Sequence, residues 1–213
     1  MARKGQIIDA TIVPVPRQRN SRDENQTIKV GEIPEDWQAQ PHKLRQKDTQ
    51  ARGTKKHNKT YYGYKNHVGI DNQHKLIRRY QATDASVHDS RILGELIDPG
   101  NRHASVWADS AYWSQDTERE LKRQGYHSRI HHKGSRNQPL TERQQAANNR
   151  RSIDRVRVEH VFGYQHNSMG GKFIRTIGIA RAKAKIGLMN LGYNMRRFII
   201  LERQTYSIAA CAA

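Results

Sequence analysis

The sequence of 213 residues contains little cysteine, few aromatic residues and no long apolar run. Its single cysteine, Cys211, excludes a disulfide framework and a zinc site built from several cysteines. No apolar stretch approaches the roughly 20 residues of a membrane helix. Residues 1–4 (MARK) lead directly into a β-like segment, which is not the pattern of a signal peptide. These absences predict a soluble cytoplasmic protein that has no membrane partner.

Acidic residues are also scarce, because 38 Lys and Arg stand against 20 Asp and Glu and give a formal net charge of +18. Such an excess predicts a nucleic-acid partner, since binding phosphates releases counterions and gives affinity that does not depend on sequence. The simpler interpretation is a solvated basic surface. Seven basic residues near the C-terminus favour a DNA-facing surface: Lys172, Arg175, Arg181, Lys183, Lys185, Arg196 and Arg197.

Periodicity and turn residues predict a mixed α/β domain over residues 1–203, followed by a tail at 204–213. A β-rich segment at 6–13 precedes residues 14–60, which are polar, contain four prolines and are interpreted as a long loop or insertion. Further strands are predicted at 61–70, 76–83, 105–109 and 126–132, and helices at 89–97, with Asp89 as the cap, and at 115–124, 152–165 and 180–203.

Three acids stand in unusual settings. Asp9 lies inside the first strand, where Asp is rare, and Asp109 ends a short strand, where α/β folds place their sites. Glu159 lies on a predicted helix one turn after Arg155. Each has a structural alternative: a water-facing strand end for Asp9, a turn or cap for Asp109, and an ordinary surface ion pair for Glu159.

Taken together, the three acids indicate a different role on so basic a chain. Carboxylates are the hard oxygen ligands that Mg²⁺ or Mn²⁺ prefers. Two such ions roughly 3.5–4 Å apart activate an attacking oxygen and stabilise the leaving oxygen of a phosphodiester. We therefore interpret Asp9, Asp109 and Glu159 as catalytic, metal-binding residues that hold a pair of Mg²⁺ or Mn²⁺ ions.

At this point the sequence resembles bacterial insertion-sequence transposases of the DDE type, in the insertion-sequence-five-like branch of the transposase four/five superfamily. The resemblance covers nearly the whole chain in the order of the family. It is carried by residues 5–13 (GQIIDATIV), 62–71 (YGYKNHVGID), 83–90 (TDASVHDS), 108–112 (ADSAY), 155–163 (RVRVEHVFG), 175–182 (RTIGIARA) and 190–197 (NLGYNMRR).

The resemblance implies an RNase H-like sheet flanked by helices, with Asp9, Asp109 and Glu159 as the metal-binding triad. It also implies DNA transposition by hydrolysis and strand transfer at the terminal inverted repeats of an element. The implied partners are element-end and target DNA, a second copy or more of the chain in a synaptic complex, and the bacterial nucleoid. Arg155 matches the arginine of the family's tyrosine-arginine-glutamate-lysine signature and would bind phosphate.

The chain departs from the family pattern in three places. Ser152 stands at the tyrosine position of the signature and His166 at its lysine position, and we carry His166, with Lys65, as predicted DNA contacts. Relatives have a helical region before the first catalytic strand, whereas Met1 here precedes Asp9 by only eight residues. We therefore expect the catalytic half of a transposase, either truncated or encoded by the downstream frame of a frameshifted gene.

Two other functions stay open. The chain could be a DNA-binding remnant without catalysis, or an RNase H-like nuclease that cleaves without strand transfer. Aromatic residues that border the insertion could stack on unpaired bases or could pack in the core. These residues are Trp37, Tyr61 and Tyr62.

Overall fold

The computed structural model describes residues 4–56, 58–101, 103–135 and 137–211. These residues form one six-stranded sheet. Its strands are β1 (Gln6–Pro14), β2 (Arg52–Lys56), β3 (Lys59–Asp71), β4 (Ile77–Asp84), β5 (Ser105–Ala108) and β6 (His127–Ile130).

The sheet is mixed, as predicted. β1 pairs antiparallel with β3 along one edge and parallel with β5 along the other, and β6 continues the parallel half beside β5. β4 pairs with the free edge of β3, and β2 pairs with the first residues of β3. The strands β1, β3 and β5 are thus at the centre, where an acid is furthest from solvent.

Helices cover both faces of the sheet. They are α1 (Arg22–Lys29), α2 (Glu35–Gln38), α3 (Pro41–Leu44), α4 (Leu93–Leu96), α5 (Gln115–Arg123), α6 (Glu142–Arg155), α7 (Glu159–Ser168) and α8 (Ile179–Cys211). In the part of the chain that the structure describes, none of these helices combines the length and the apolar character needed to cross a bilayer.

Alternation along β1 divides the core into two sides. Ile8 points into a cluster with Leu96 of α4 and Leu121 of α5. Ile7 points to the opposite side, where it packs with Phe162 of α7 and Tyr193 of α8. Asp9 alternates with Ile8 and therefore shares the α7 side with Ile7.

The segment 14–60 is more ordered than the predicted loop, because it contains three short helices and strand β2. Its centre is Trp37, which is fully buried and donates from Nε1 to Glu24 at 2.6 Å, while the Lys47 ammonium lies 4.8 Å from the ring centre. Buried Asp48 ties the segment to the sheet by accepting the Tyr64 hydroxyl at 2.7 Å. The insertion after the first strand was predicted but its helices were not, because helices of four to eight residues are too short to produce a sustained period.

Three helix boundaries also differ from the prediction. One helix was predicted at 152–165, whereas the structure has two: α6 begins at Glu142, and a 3₁₀ turn at Val156–Val158 separates it from α7. His88, not Asp89, caps the turn that follows β4, by accepting the backbone N–H of Ser90 at 3.3 Å. The last helix, α8, continues to Cys211 through most of the predicted tail, whose residues 212–213 lie outside the described residues.

Candidate active site

Strand register brings Asp9 and Asp109 together. Parallel pairing of β1 with β5 sets Gln6 opposite Val106 and Ile7 opposite Trp107. Continued in the same register, Asp9 lies beside Asp109, which directly follows β5. Two acids separated by 100 residues therefore meet at the centre of the sheet.

The carboxylate of Asp109 shapes the turn that follows β5. It accepts the backbone N–H of Ala111 at 2.7 Å and so caps the 3₁₀ turn Ser110–Tyr112. Tyr112 is fully buried in the core on the Ile8 side of the sheet, which fixes this turn. The cap that the sequence offered as an alternative role exists, and it holds the carboxylate beside Asp9.

Glu159 enters the site from the opposite layer as the first residue of α7. Val158 and Val161 on either side of it are fully buried, so the helix is fixed against the sheet. The Glu159 side chain itself is 57% exposed. It therefore faces the solvent above the two strand acids rather than packing in the core.

These three acids line one open cleft of about 600 Å³. The remaining side chains that surround it are mostly polar or cationic. They include Thr11 of β1, Lys56 of β2, Tyr61 of β3, Arg155 at the end of α6, and Phe162 and His166 of α7.

Arg155 lies between the acids. One of its terminal nitrogens is 2.7 Å from an Asp9 oxygen and 4.0 Å from a Glu159 oxygen. The second Asp9 oxygen accepts the backbone N–H of Ala10 at 2.8 Å. Arg155, predicted to contact phosphate, thus forms an ion pair with a predicted metal ligand.

The electrostatics of Asp9 reflect this crowding. The pKa of its carboxyl is raised from 3.8 to about 6. Burial is the main cause and the negative charges of Asp109 and Glu159 add to it, whereas Arg155 and the Ala10 N–H oppose the rise. A carboxyl with this pKa is costly to ionise without another cation in the cleft. Asp9 therefore sits in a site that is short of positive charge.

The donor chemistry of the cleft fits a hard divalent cation, because three carboxylates face one polar space. Within the described residues, however, no group of three or more His, Cys, Asp or Glu side chains is close enough together to hold a metal ion. Arg155 lies between Asp9 and Glu159. Carboxylates are the type of ligand that Mg²⁺ or Mn²⁺ prefers, but two of these three, Asp9 and Glu159, lie around the Arg155 guanidinium.

His166, a predicted DNA contact, lies in this cleft. Its Nε2 is 3.4 Å from the hydroxyl of Thr11. Burial lowers its pKa, and so does the positive charge of Lys172, whereas Glu159 opposes the shift. A neutral imidazole can accept or donate a hydrogen bond within the cleft but brings no positive charge to a phosphate.

Most of the other predicted DNA contacts lie outside the cleft. Lys172 and Arg175 are exposed on the connection between α7 and α8, and Arg181 and Arg196 are exposed on α8. Arg197 is half-buried and donates to the carbonyl of His74 at 2.7 Å. They form a basic surface beside the site rather than part of it.

Lys65 does not fit its predicted contact with DNA. Its ammonium is 2.8 Å from Asp89 and 2.7 Å from the carbonyl of Val87, and its side chain is only 11% exposed. Lys65 pairs with Ile12 in the β1–β3 ladder and so shares the face opposite to Asp9. Its ammonium therefore contacts groups of the protein itself, on the side of the sheet away from the cleft.

The residues of the cleft that were not predicted include two polar ones. Thr11 lies two positions after Asp9 on the same strand, so strand alternation was the signal that could have found it. Lys56 reaches the cleft from β2, a strand that the sequence analysis did not recognise. Tyr61, whose aromatic ring the sequence left open between stacking and packing, lines the cleft.

Comparison with known proteins gives three findings. The profile of the family described as "Transposase DDE domain" matches residues 1–195. A curated relative, "Transposase for insertion sequence element IS1106" from Neisseria meningitidis serogroup B, is 29% identical over 189 residues. That alignment covers 89% of this chain but 63% of the relative, so the chain spans less than two thirds of that protein's length.

The third finding concerns the fold. The chain is similar to a solved structure described as "Cryo-EM structure of piggyBac transposase synaptic complex with hairpin DNA (SNHP)", with a TM-score of 0.54 and 13% sequence identity. The match covers 96% of this chain and 48% of that chain. The RNase H-like architecture expected from the sequence is therefore confirmed.

Proposed function

The chain belongs to the family of transposase DDE domains, and from this premise we propose that it is the catalytic domain that moves an insertion element. In this proposal it binds the terminal inverted repeats of the element and catalyses metal-dependent strand cleavage followed by strand transfer. The observation that carries the proposal is the meeting of Asp9, Asp109 and Glu159 in one cleft next to a basic surface.

Asp9, Asp109 and Glu159 are the residues that would hold Mg²⁺ or Mn²⁺, in the proposal as a pair of ions. Bound there, the ions would activate the attacking oxygen and stabilise the leaving oxygen. Asp9 is fixed within β1 and Asp109 directly after β5, while Glu159 stands at the start of a helix packed by Val158 and Val161. This arrangement supplies two rigid carboxylates and one solvent-facing carboxylate.

The reaction has two steps. In the first, the oxygen of a water molecule bonds to a phosphorus at the element end, the bond from phosphorus to the 3′ oxygen breaks, and the element strand leaves with a 3′-hydroxyl. In the second, that hydroxyl attacks a phosphorus of target DNA and displaces a second 3′ oxygen. The first step consumes one water and one phosphodiester and leaves a 5′-phosphate on the flanking strand, whose former partner oxygen takes up a proton. The second step breaks one phosphodiester and forms one, and no covalent bond to the protein is needed.

Arg155 has two roles in this proposal. Without DNA, its guanidinium compensates part of the negative charge around Asp9 at 2.7 Å. With cations on the acids, the guanidinium is free to bind a phosphate of the substrate, as the family signature predicts. Exposed Lys172, Arg175, Arg181 and Arg196, together with Arg197, would bind the backbone of the DNA outside the cleft.

The test is cleavage of duplex DNA that carries the ends of the element encoding the chain. We expect nicked products and products joined to a target duplex, both dependent on Mg²⁺ or Mn²⁺. Asp109→Asn should lower the rate at least about 1,000-fold. Asp116→Asn is the matched control, because Asp116 is 90% exposed on α5 and lies outside the cleft.

The two alternatives predict different products. Salt-sensitive binding without any cleavage in either metal would indicate a DNA-binding remnant. Cleavage without joined products would indicate a nuclease that does not transfer strands. Equal metal-dependent rates for Asp109→Asn and the unaltered chain would show that the triad is assigned to the wrong residues.

A further inference from the structure

A pocket lined by arginines lies on the same face of the sheet as the cleft. Its lining, which encloses about 460 Å³, includes Lys4, Trp107, Arg129, Arg150, Arg151 and Asp154, and we call it the arginine pocket. Trp107 of β5 and Arg129 of β6 are partners in the parallel ladder, so their side chains share one face of the sheet. On that face Trp107 belongs to the same core cluster as Phe162 of α7, which also lines the cleft. The arginine pocket and the cleft are therefore neighbours.

The positive charges of the arginine pocket have little compensation from acids. Among the described residues, none of the ion pairs includes a basic residue of this pocket. Asp154, the acid in the lining, lies 3.6 Å from Arg157 and accepts the side-chain amide of Asn72 at 3.1 Å. Its negative charge is thus shared with a cation outside the pocket.

Arg151 shows the effect of this crowding. Burial lowers its pKa, and so do the positive charges of Arg129 and Arg150, whereas Glu118 opposes the shift. Guanidinium groups that repel one another are stabilised by an anion between them, and phosphate is an anion that arginine matches with paired hydrogen bonds. The arginine pocket is therefore suited to a phosphate group.

Basic residues stand at both ends of β1, with the cleft between them. Asp9 lies five residues after Lys4 and five residues before Pro14, so it is at most about 18 Å from either. At the far end, the Pro14 carbonyl accepts the backbone N–H of Ile174 at 3.0 Å, which brings the connection with exposed Lys172 to that end. Nucleotides of one DNA strand rise by about 3.4 Å each, so a strand centred on the acids would reach either basic area within about five nucleotides.

Helix α6 links the arginine pocket with the cleft. Arg151 lines the pocket and Arg155 lines the cleft, and the two residues are one helical turn apart, or about 6 Å along the axis. A phosphate backbone that leaves the cleft along α6 therefore meets guanidinium groups in succession.

We propose that the arginine pocket binds the phosphate backbone of target DNA in the strand-transfer step. The inference rests on the proposed function, in which the 3′-hydroxyl of the element attacks a target phosphorus at the three acids. The element end is still in the cleft at that point, with the basic surface of α8 to hold it, so the target enters from the side that the flanking strand has left. Lysine and arginine fix a phosphate backbone without reading bases, which suits a duplex that does not carry the terminal repeats.

The first test separates joining from cleavage. Arg129→Gln combined with Arg150→Gln should raise the target concentration that gives half-maximal joining of precut element ends at least about 10-fold, because two phosphate contacts are lost. Cleavage of uncut ends that carry a flank of about two nucleotides, too short to reach the pocket, should change less than about twofold.

The matched control is Arg79→Gln combined with Arg91→Gln. These two arginines are exposed, on β4 and in the turn that follows it, and they lie outside both the cleft and the arginine pocket. We expect the control to join and cleave as the unaltered chain does. Circular dichroism and thermal melting should show that both double variants remain folded.

A second measurement needs no chemistry. Binding to a duplex of unrelated sequence is followed by fluorescence anisotropy at several salt concentrations, without metal. Each phosphate contact contributes about 0.9 to the slope of log affinity against log salt, so this slope should shrink by about 2 in the variant with Arg129→Gln and Arg150→Gln.

The outcomes separate this proposal from the proposed function. An unchanged salt slope would overturn the arginine pocket as a DNA site. Equal losses of cleavage and joining would overturn the target assignment and give the pocket to the element end. A smaller slope in a chain that neither cleaves nor joins would contradict the proposed function, and the target assignment with it, but not the binding of DNA by the pocket.

Discussion

Two polar clusters lie back to back on the faces of the central strands, and they are built differently. On the face away from the cleft, Lys65 and Asp89 form an ion pair of 2.8 Å, and fully buried His67 binds the Thr83 hydroxyl at 2.9 Å. We call these four residues the sealed cluster. On the cleft face, three carboxylates are opposed by the guanidinium of Arg155.

The difference is one of charge balance and access. The sealed cluster pairs one cation with one anion out of reach of most solvent, so its interactions serve the folded state. The cleft sets three carboxylates against two cations, Arg155 and Lys56, and its third acid is open to solvent. Such an excess of negative charge disfavours the ionised carboxylates unless cations bind them, which suits the proposed function.

The strongest way to break the comparison is to neutralise the cleft. We expect Asp9→Asn to lower metal-dependent cleavage at least about 1,000-fold while leaving the thermal stability at pH 8 unchanged or higher. The reason is that burial and two neighbouring carboxylates disfavour the ionised form that Asn replaces. Cleavage kinetics and calorimetric melting measure the two effects. A strongly destabilised Asp9→Asn would show that this acid serves the fold.

The opposite result is expected when the sealed cluster is broken. Asp89→Ala leaves the Lys65 ammonium, whose side chain is 11% exposed, without its partner. We expect the free energy of unfolding to fall by about 3 kcal/mol in urea titrations. Lys65→Met combined with Asp89→Ala should recover part of that loss, because no unpaired charge remains. Losses that simply add in the double variant would contradict the pairing.

The two clusters contribute to the pH dependence of stability with opposite signs. Burial lowers the pKa of His67 to about 4, although Asp89 opposes the shift. Between pH 6.5 and 4 the His67 side chain is therefore protonated in the unfolded chain but neutral in the folded protein. Stability therefore falls through His67 as the pH is lowered across this range. Asp9 acts in the opposite direction, because the folded protein takes up its proton near pH 6 and the unfolded chain only near 3.8.

The two contributions offset each other between about pH 6 and 4 in the unaltered chain. Asp9→Asn removes one of them, so between pH 6 and pH 4 the variant should lose about 2 kcal/mol more stability than the unaltered chain does. Urea titrations at pH 7.5, 6 and 4.5 measure this difference. Parallel curves for the two proteins would mean that Asp9 has an ordinary pKa.

Sequence reasoning reached the candidate site because the acids conflict with their local surroundings. An aspartate inside a strand, as at position 9, is costly unless something binds it, and that conflict is visible without a structure. The apolar pattern of a strand is also visible in a short stretch of sequence. Strands β1, β3, β4 and β5 were therefore predicted to within two residues. The grouping of the three acids as catalytic residues stays a prediction until the variants are measured.

What sequence reasoning missed depends on distant partners. Lys65 was carried as a predicted DNA contact, and Asp89, whose carboxylate accepts from its ammonium, lies 24 residues further along the chain. The start of α6 was misplaced because this helix buries no residue, although its capping box at Thr141 and Gln144 was a local signal. For Arg155, sequence predicted a phosphate ligand, and its contact with Asp9 across 146 residues could only come from the fold.

The smallest expected effect is on stability and comes from Arg155, the arginine of the cleft. Arg155→Gln removes the cation nearest to Asp9, so at pH 8, where Asp9 is ionised, we expect a loss of about 1 kcal/mol in the free energy of unfolding. At pH 5 the carboxyl is largely protonated, since its pKa is about 6, and the loss should be smaller. Arg155→Lys is the control that keeps the charge. A loss that is equal at both pH values would show that Arg155 stabilises the fold by packing. It would contradict the proposal that its guanidinium leaves the Asp9 carboxylate to bind a DNA phosphate.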